Sequence, residues 1–427
     1  MMQCANSGLL LFDVPPVQTD IKSSLDIKYY PLSSLSVGAP IEFHVPGSVE
    51  EYIDCDHTYL EVSVKITKAD GTAIDITKDK VGFSNLAISS MFSDVSLILQ
   101  ETQVEGGDCL YPYKAYFPTV MQFMPQAQNS HMEIWGWIKD QAGKMDDATN
   151  TAFVKRMSWT DKSKETTFYG PVFLDFFKQS KYLLSQTDMR LKFRLAEPEF
   201  TLLNFVAHKY KFEITKAILH VRRITVAPNV INEHAVGLEK HNAYYPLLHT
   251  DISEFTISKG NSNFTKDQAF LKDTPKFMMI GMLDNEAFDG TPAKNPFNFQ
   301  HFNLSRLALI ANGVSIPGQP VTPDFKNKSY VESYFRLMDA YHYFNTDDSN
   351  GLRYADFGAG YTLFAFDMTP DKTLTTHCIH PSNLMNLRME FKFDDPLPVT
   401  VNVLVYAVYD SHIEITKLRD VIPAYAR

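Results

Sequence analysis

Apolar and polar residues alternate with a period of two along much of the chain. Between residues 59 and 68, one set of alternate positions is apolar and the other is polar: Leu60, Val62, Val64 and Ile66 against Glu61, Ser63, Lys65 and Thr67. Successive side chains of a β-strand point to opposite faces, so this pattern predicts a strand with one buried face and one wet face. Residues 189–195 and 399–409 show the same pattern.

Short strands separated by turn residues account for most of the remaining pattern. Asn312-Gly313 lies between two apolar runs and is the strongest hairpin signal in the chain. A parallel α/β sheet would need a helix between successive strands, and the sequence does not supply these helices. The pattern therefore predicts an antiparallel sandwich or barrel.

The second half of the chain repeats the first half, element by element. Five pairs of segments occur in the same order: residues 41–45 with 255–259, 59–66 with 276–282, 95–99 with 307–310, the aromatic set Tyr113, Tyr116, Phe117 and Val120 with Tyr330, Tyr334, Phe335 and Met338, and 189–195 with 387–393. One match alone carries little weight, because any half-buried strand alternates in this way. Five matches in one order indicate two copies of one β-rich domain.

The patterns divide the chain into five segments. These are an N-terminal arm (1–37), a first β domain (38–227), a connecting helix (228–242), a second β domain (243–412) and a C-terminal tail (413–427). Pro15-Pro16 excludes a helix in the arm. Pro228-Asn229 opens the connecting segment, where proline is favoured in the first turn of a helix.

An apolar run lies within the arm and is formed by Leu9, Leu10, Leu11 and Phe12. A run of this kind in an extended segment is too apolar to remain exposed. We expect it to make assembly contacts with a neighbouring subunit. The alternative is that it folds back on its own barrel.

Charge and composition exclude some classes of function. The 427 residues include 31 Phe and 21 Tyr, which can fill two aromatic-rich cores, and the net charge is −10. A nucleic-acid binder concentrates cationic side chains against phosphates. Here the basic residues are scattered, so we expect no specific nucleic-acid binding. No window approaches the length of apolar sequence that a membrane span requires, so none is predicted.

The four cysteines, Cys4, Cys55, Cys109 and Cys378, are widely spaced and form no Cys-x-x-Cys pair. This spacing favours neither a zinc module nor a disulfide framework. The first residues also lack the basic start and apolar stretch of a signal peptide. A reducing compartment is the simpler expectation.

The densest group of potential metal ligands is His377-Cys378-Ile379-His380. Two imidazoles and a thiolate are ligands for zinc or copper. Jelly-roll metalloenzymes of the cupin type carry a His-x-His pair on a strand, whereas this spacing is His-x-x-His in a turn-like stretch. We expect a solvated loop without metal, and a metal site is the alternative.

Catalytic signatures are weak. Asp347-Asp348 and Asp394-Asp395 resemble the paired carboxylates of glycosidases, but the second pair lies between two predicted strands and is explained by a turn. The sequence contains no nucleophile elbow, phosphate loop or dinucleotide fingerprint. We expect no catalytic residue and no cofactor. The two aromatic helices could stack on a ligand, but core or interface packing is the use that we favour.

Longer strings of polar and proline-bearing sequence resemble a known family. Residues 11–20, 40–48 and 52–54 resemble the start of the major capsid proteins of Polinton (Maverick) elements and adintoviruses. Residues 284–290, 295–299, 360–370 and 399–410 resemble later segments of the same family. The resemblance covers nearly the whole chain and does not depend on apolar alternation alone.

The resemblance implies an all-β fold of two tandem eight-stranded jelly rolls, each with a short inserted helix. It also implies a structural protein of the virion, whose homotrimer is a pseudo-hexagonal capsomer of an icosahedral shell. Six similar barrels in three chains approximate sixfold symmetry. The implied partners are neighbouring capsomers and a penton or minor capsid protein, and the family has no catalytic residues to carry over.

Two other classes of protein remain as alternatives. A jelly-roll carbohydrate-binding module would need exposed aromatic and amide side chains at one loop end. A cupin-like metal enzyme would bind metal as a stable monomer.

Overall fold

Both halves of the chain are built from antiparallel strands. The computed structural model describes residues 17–36, 38–206, 208–267, 274–370, 372 and 385–424. The strands of the first half are β1 (Ile21–Tyr29), β2 (Ile41–Val45), β3 (Glu51–Lys68), β4 (Val81–Phe83), β5 (Phe92–Leu99), β6 (Thr102–Glu105), β7 (Thr166–Pro171), β8 (Met189–Leu195), β9 (Leu202–Asn204) and β10 (Tyr210–Val226). Those of the second half are β11 (Ala243–Ile257), β12 (Asn263–Lys266), β13 (Phe277–Asp284), β14 (Leu304–Ala311), β15 (Val314–Val321), β16 (Leu363–Asp367), β17 (Leu387–Phe393), β18 (Val401–Ile415) and β19 (Val421–Pro423).

Each half contains two sheets with the same strand order. In the first half the orders are β1-β10-β3-β7 and β2-β8-β5-β6, with a separate β4-β9 pair. In the second half they are β11-β18-β13-β16 and β12-β17-β14-β15, and β19 also pairs with β18. The chain is therefore a double jelly roll, as predicted. The equivalent strands are β1 and β11, β2 and β12, β3 and β13, β5 and β14, β6 and β15, β7 and β16, β8 and β17, and β10 and β18.

Four of the five predicted matches join equivalent elements. The match of residues 41–45 with 255–259 is wrong, because Ile41–Val45 is β2 and its equivalent is β12, Asn263–Lys266. Phe255 lies instead in β11. Strand β12 is short and only partly buried, so its sequence lacks the apolar alternation that marks β2.

The first jelly roll also begins earlier than predicted. Strand β1 lies within residues 1–37, which were predicted as an arm, yet it pairs with β10 along its length. None of its nine residues is buried, so its sequence carries no signal of a half-buried strand. At the other end, β18 continues to Ile415, and the predicted start of the tail therefore falls inside a strand.

Helices lie in the connections between strands. They are α1 (Ala87–Ser90), α2 (Tyr111–Gln122), α3 (Pro125–Gln128), α4 (Thr151–Trp159), α5 (Pro198–Thr201), α6 (Pro228–Leu238), α7 (Asn285–Phe288), α8 (Val331–Asp339) and α9 (Tyr354–Phe357), with 3-10 turns at His131–Trp135, Asp161–Ser163 and Asp175–Lys178. The two predicted aromatic helices are α2, between β6 and β7, and α8, between the equivalent strands β15 and β16. The first copy carries more helix than the single one predicted. In the described part of the chain, no helix has the length and apolarity of a membrane span.

Strand β3 shows how the sequence builds the core. The apolar positions Leu60, Val62, Val64 and Ile66 are at most 2% exposed. On the opposite face, Glu61 forms an ion pair with Lys216 at 2.6 Å. Most of the buried apolar residues form one cluster that continues through both jelly rolls, so the contact between the two is part of the core. Phe153, Met157 and Leu203 form a small second cluster.

Candidate assembly interface

Helix α2 carries the aromatic face that its sequence predicts. Tyr113, Tyr116, Phe117 and Val120 recur at helical spacing, and each is at most 2% exposed. Pro112, in the first turn, suits the start of a helix because that turn needs no backbone donor. The first jelly roll therefore presents a rigid aromatic surface beside its own sandwich.

The second jelly roll covers this face with aromatic rings of its own. Tyr116 stacks on Phe297, with ring centroids 4.2 Å apart. Phe117 packs on Phe299 at 5.2 Å and on Tyr406 of β18 at 5.5 Å. Aromatic side chains bury more apolar area than any other type, so this contact is a major part of what holds the two jelly rolls together.

A buried charge cluster lies beside the aromatic contact. The Lys114 ammonium of α2 donates to Glu105 Oε2 at 3.0 Å and to Asp175 Oδ2 at 2.8 Å. The same Asp175 oxygen accepts the backbone N–H of Thr250 in β11 at 2.7 Å. His249 of β11 faces Asp175 at 3.7 Å. These contacts fix the edge strand β11 to the first jelly roll.

Opposite charges keep Lys114 and Asp175 ionised in this cluster, whereas His249 is neutral. Burial alone would lower the pKa of Lys114, but the carboxylates of Asp175 and Glu105 outweigh it and raise that pKa above its usual range. Burial likewise opposes ionisation of Asp175, yet Lys114 and the backbone donor lower its pKa. For His249, burial dominates and lowers the pKa, which keeps the imidazole neutral near neutral pH.

A second polar network joins the two jelly rolls around the buried Asp140 carboxylate. Asp140 lies between β6 and β7, and its Oδ1 accepts from Arg156 of α4 at 2.8 Å and from Asn150 at 2.9 Å. From the second jelly roll, Asn295 donates to Asp140 Oδ2 at 3.2 Å, and the Tyr361 hydroxyl donates to the Asp140 backbone carbonyl at 2.8 Å. The network is thus shared by the two copies.

Arg156 is the central cation of this network and is fully buried. Its guanidinium also donates to the backbone carbonyls of Phe83 at 3.0 Å and Ile138 at 3.1 Å. A buried ion pair is tolerated when additional hydrogen bonds satisfy both partners, and this one meets that condition. Neither Arg156 nor Asp140 was identified from the sequence, because an isolated Arg or Asp carries no pattern that distinguishes burial from exposure.

The face of α8 is covered much less than that of α2. Val331 is 65% exposed and Phe335 is 37% exposed, and the two lie one turn apart. Phe344 packs edge-on against Phe335, with centroids 4.6 Å apart, and is itself exposed. Leu337, on the other side of the helix, and Met338, one turn after Phe335, are buried in the second jelly roll. The outer side of α8 therefore exposes Val331 and Phe335 beside the charged residues Glu332 and Asp339.

The edge strand β1 is also less covered than its equivalent. In β11, Tyr245, Leu247 and Ile252 are buried, and Tyr245 packs on Phe176 of the first jelly roll at 5.6 Å. In and after β1, by contrast, apolar side chains are exposed: Leu25 at 59%, Tyr30 at 65% and Leu32 at 64%. The first jelly roll therefore has an apolar edge that nothing else in the described chain covers.

Two of the predicted sites lie outside the described residues. These are the apolar run Leu9, Leu10, Leu11 and Phe12, and the cluster of His377, Cys378 and His380. Of the cysteines that the structure describes, Cys55 is buried and Cys109 is exposed, and both are free thiols.

The paired acids lie at the surface. Asp347, Asp348 and Asp394 are exposed, and Asp395 forms an ion pair with Lys326 at 2.8 Å. Among the described residues, no three or more His, Cys, Asp and Glu side chains form a group that could hold a metal. Asp394 and Asp395 lie between β17 and β18, the position for which a turn was predicted.

An open groove of about 740 Å³ lies between loops of the two jelly rolls. Amide side chains, among them Asn298, Gln300 and Asn303, line it together with carboxylates. A carbohydrate-binding module would also need a free aromatic face. His301 in this groove is stacked on Phe325, with centroids 4.2 Å apart, and Phe302, which also lines the groove, is partly exposed.

Comparison with solved structures finds viral capsid proteins. The chain is similar, over 99% of its length, to 92% of a chain in the 3.5 Å cryo-EM structure of the Sputnik virophage, with a TM-score of 0.71 and 14% identity. It matches a chain of the PBCV-1 virus capsid with a TM-score of 0.61 and 12% identity, over 97% of this chain and 100% of that chain. The mavirus major capsid protein matches with a TM-score of 0.56 and 10% identity, over 99% of this chain and 95% of that chain. These similarities show the double jelly-roll fold.

Sequence comparison finds a full-length relative. An uncharacterized protein of Caenorhabditis elegans is 25% identical over 422 residues, which cover 95% of this chain and 98% of the relative. No protein-family model matches the chain.

Proposed function

We propose that this protein is a structural major capsid protein whose three copies close into a pseudo-hexagonal capsomer of an icosahedral shell. The observation that carries the proposal is the same eight-strand order twice in one chain, with one jelly roll seated on the other. Repeating that contact between chains places six similar barrels around a threefold axis. The role is structural and requires neither a catalytic residue nor a cofactor.

The comparisons support a capsid role. Similar folds occur in the Sputnik virophage, the PBCV-1 capsid and the mavirus major capsid protein. The assignment to the Polinton and adintovirus lineage rests on the sequence resemblance alone. We place the protein in the virion, with neighbouring capsomers and a penton or minor capsid protein as partners.

The capsid role also leads us to assign the two barrels and the N-terminal arm. Residues 38–227 and 243–412, extended at the N-terminal side to include β1, form the two barrels. The apolar run from Leu9 to Phe12 docks under a neighbouring subunit or capsomer, because an assembled shell offers it a surface that a free chain lacks.

Light scattering coupled to size exclusion tests the trimer directly. Three chains of 48.6 kDa give about 146 kDa. We expect this mass at both low and high ionic strength, because an obligate interface of more than about 2,000 Å² is held by apolar burial and not by screened surface charges. Negative-stain microscopy of the same sample should show hexagonal plates or shells. A monomer at micromolar concentration in both buffers would contradict the proposal and favour a carbohydrate-binding module.

A further inference from the structure

The open groove between the loops of the two jelly rolls lies at the end of the second jelly roll that is far from α6. Asp284 at the end of β13 lines the groove and pairs with Val401 at the start of β18. The other end of β18, Ile415, pairs with Ala243 at the start of β11, which follows α6. A strand of this length, 15 residues, spans about 50 Å. The groove is therefore built at the end of the molecule away from the tether between the two jelly rolls.

Two side-chain amides in the groove are free to bind a ligand. Gln300 and Asn303 line it, and neither amide group has a hydrogen-bond partner among the residues that the structure describes. The backbone of both residues is held in place. The Gln300 N–H donates to the Met282 carbonyl at 2.8 Å, and the Asn303 N–H donates to His301 Nδ1 at 2.9 Å. Each side-chain amide thus offers donors and an acceptor from a fixed stretch of backbone.

The Asp146 carboxylate of the first jelly roll also lines the groove, and two amides of the second jelly roll hold it in place. Its Oδ1 accepts the backbone N–H of Asn295 at 2.6 Å, and its Oδ2 accepts from the side-chain amide of Asn298 at 2.6 Å. Each carboxylate oxygen has two lone pairs, so each can accept a further hydrogen bond from a ligand.

The groove carries a net negative charge. Its lining includes four carboxylates and one lysine: Asp146, Asp147, Asp284, Asp395 and Lys144. Lysines outside the lining form ion pairs with Asp284 and Asp395. In the described part of the chain, Asp146 and Asp147 form no such pair. Anionic ligands are therefore repelled from this groove.

Phe302 gives the groove an aromatic face. The residue lines the groove and is partly exposed. Its φ angle is 45° and that of Asn303 is 53°, so two successive residues other than glycine lie in the left-handed region. A bulky side chain rarely adopts this conformation, and residues held in it cluster at ligand sites. The turn is closed by the Leu304 N–H, which donates to the His301 carbonyl at 2.8 Å. It brings an aromatic ring and a free amide to the same groove.

We propose that this groove binds a neutral saccharide. Sugar hydroxyls pair with carboxylates and amides, and the C–H face of a sugar ring packs on an aromatic ring. The groove offers all three groups, in Asp146, in Gln300 and Asn303, and in Phe302. Its volume of about 740 Å³ lies within the range of roughly 300–1,000 Å³ that is typical of small-ligand sites. Its charge selects against sialylated and sulfated saccharides.

Such a site adds a binding role to the structural one. Every copy of the chain carries the groove, so a particle built from many copies presents many identical saccharide sites. Sites that are weak one by one bind a glycan-coated surface tightly when many engage together.

Saturation-transfer difference NMR of the full chain tests the proposal. The neutral probes are tetrasaccharides of glucose, mannose, galactose and N-acetylglucosamine, and the anionic probes are sialyllactose and a heparin tetrasaccharide. We expect transfer to at least one neutral probe and to neither anionic probe. Transfer to none of the neutral probes, or to the anionic probes alone, would overturn the inference. Light scattering on the same sample tests the trimer separately, so a failure of one proposal is distinguishable from a failure of the other.

Two alanine variants locate the bound saccharide. Phe302→Ala removes the aromatic face and Gln300→Ala removes a free amide, and each should raise the dissociation constant by about tenfold, the effect of losing one ring contact or one hydrogen bond. The matched controls are Phe344→Ala and Gln126→Ala, which change exposed residues outside the groove and should bind as the parent does.

Circular dichroism of the variants separates loss of binding from loss of fold. Gln300→Ala removes a side chain without a hydrogen-bond partner among the described residues, so it remains informative if Phe302→Ala does not fold. Binding as tight as that of the parent in Gln300→Ala and in folded Phe302→Ala would place the saccharide elsewhere and overturn the inference.

Discussion

The two jelly rolls share a strand order but differ in the connections between equivalent strands. In the first, the connection from β6 to β7 contains α2, α3 and α4 and reaches across to the second jelly roll through Asp140. In the second, the connection from β15 to β16 contains α8 and α9, and its outer side is exposed. The sheets are therefore the common part of the two copies, and the connections determine what each copy contacts.

Because the connections differ, residues at equivalent positions of the two jelly rolls make different contacts. Phe117 and Phe335 occupy equivalent helical positions, yet one is in the core of the chain and the other is at its surface. Equivalent positions should therefore respond differently to the same substitution, which provides a direct way to test the comparison.

The largest contrast is expected for phenylalanine truncation. Phe117→Ala should lower the free energy of unfolding by about 3–5 kcal/mol, because it leaves a cavity against Phe299 and Tyr406. Phe335→Ala should cost about 1 kcal/mol or less in the single chain, because its ring is partly exposed. Urea unfolding at concentrations where each protein elutes as one chain measures both. Equal losses would show that α8 is not the uncovered counterpart of α2.

The shared polar network should be nearly as sensitive. Arg156→Met should cost about 3 kcal/mol or more, because it leaves the Asp140 carboxylate buried without its cation. The neighbouring Lys155→Met on the same helix is the control. Lys155 pairs with Glu133 at the surface, so its loss should cost about 0.5 kcal/mol or less. Thermal and urea unfolding measure the free energy of unfolding of both variants. Similar losses for Arg156→Met and Lys155→Met would contradict the prediction.

The smallest effect is expected from pH. His249 at the junction has a lowered pKa when folded, because burial disfavours the imidazolium, and Asp175, Lys114, Glu105 and Asp251 are the charged groups around it. As the pH falls below about 6.5, the unfolded chain takes up this proton before the folded chain does. Stability should therefore fall as the pH is lowered from about 7.5 to about 5.5. The pKa of Asp175 is lowered in the folded chain, so its contribution to stability is lost only at a pH below this range.

Two glutamine variants assign the pH effect. His249→Gln should flatten the stability profile measured by urea unfolding. His301, stacked on Phe325 in the second jelly roll, also has a pKa lowered by burial and contributes its own share. His301→Gln should therefore leave the share of His249 in place. A His249→Gln profile as steep as that of the parent would rule out His249 as its source.

The fold was largely predictable because most strands alternate and recur in one order. Strands β3, β5 and β8 and their equivalents carry clear apolar faces, and the aromatic spacing of α2 and α8 marks both helices. Two of the errors, β1 and the equivalent of β2 in the second jelly roll, concern strands in which no residue is fully buried. A strand at an edge is stabilised by its ladder more than by its side chains, so its sequence carries a weak signal.

The junction between the jelly rolls was less predictable. The aromatic residues of α2 could be assigned to packing from their spacing, but the sequence did not show that the second jelly roll covers them. Lys114, Arg156 and Asp140 are isolated charges in sequence, and only the fold brings them to their partners. Polar networks between distant segments leave no periodic pattern, so a single sequence does not reveal them.

Helix α6 has a consequence for the speed of assembly. It connects β10 to β11 and so holds the second jelly roll beside the first, which replaces a collision between molecules by a search within one molecule. A short tether gives its two ends a high effective concentration, so this contact forms at any dilution. In the proposed ring of six barrels, half of the contacts would then be made as each chain folds. Only the other half depend on how much protein the cell has produced.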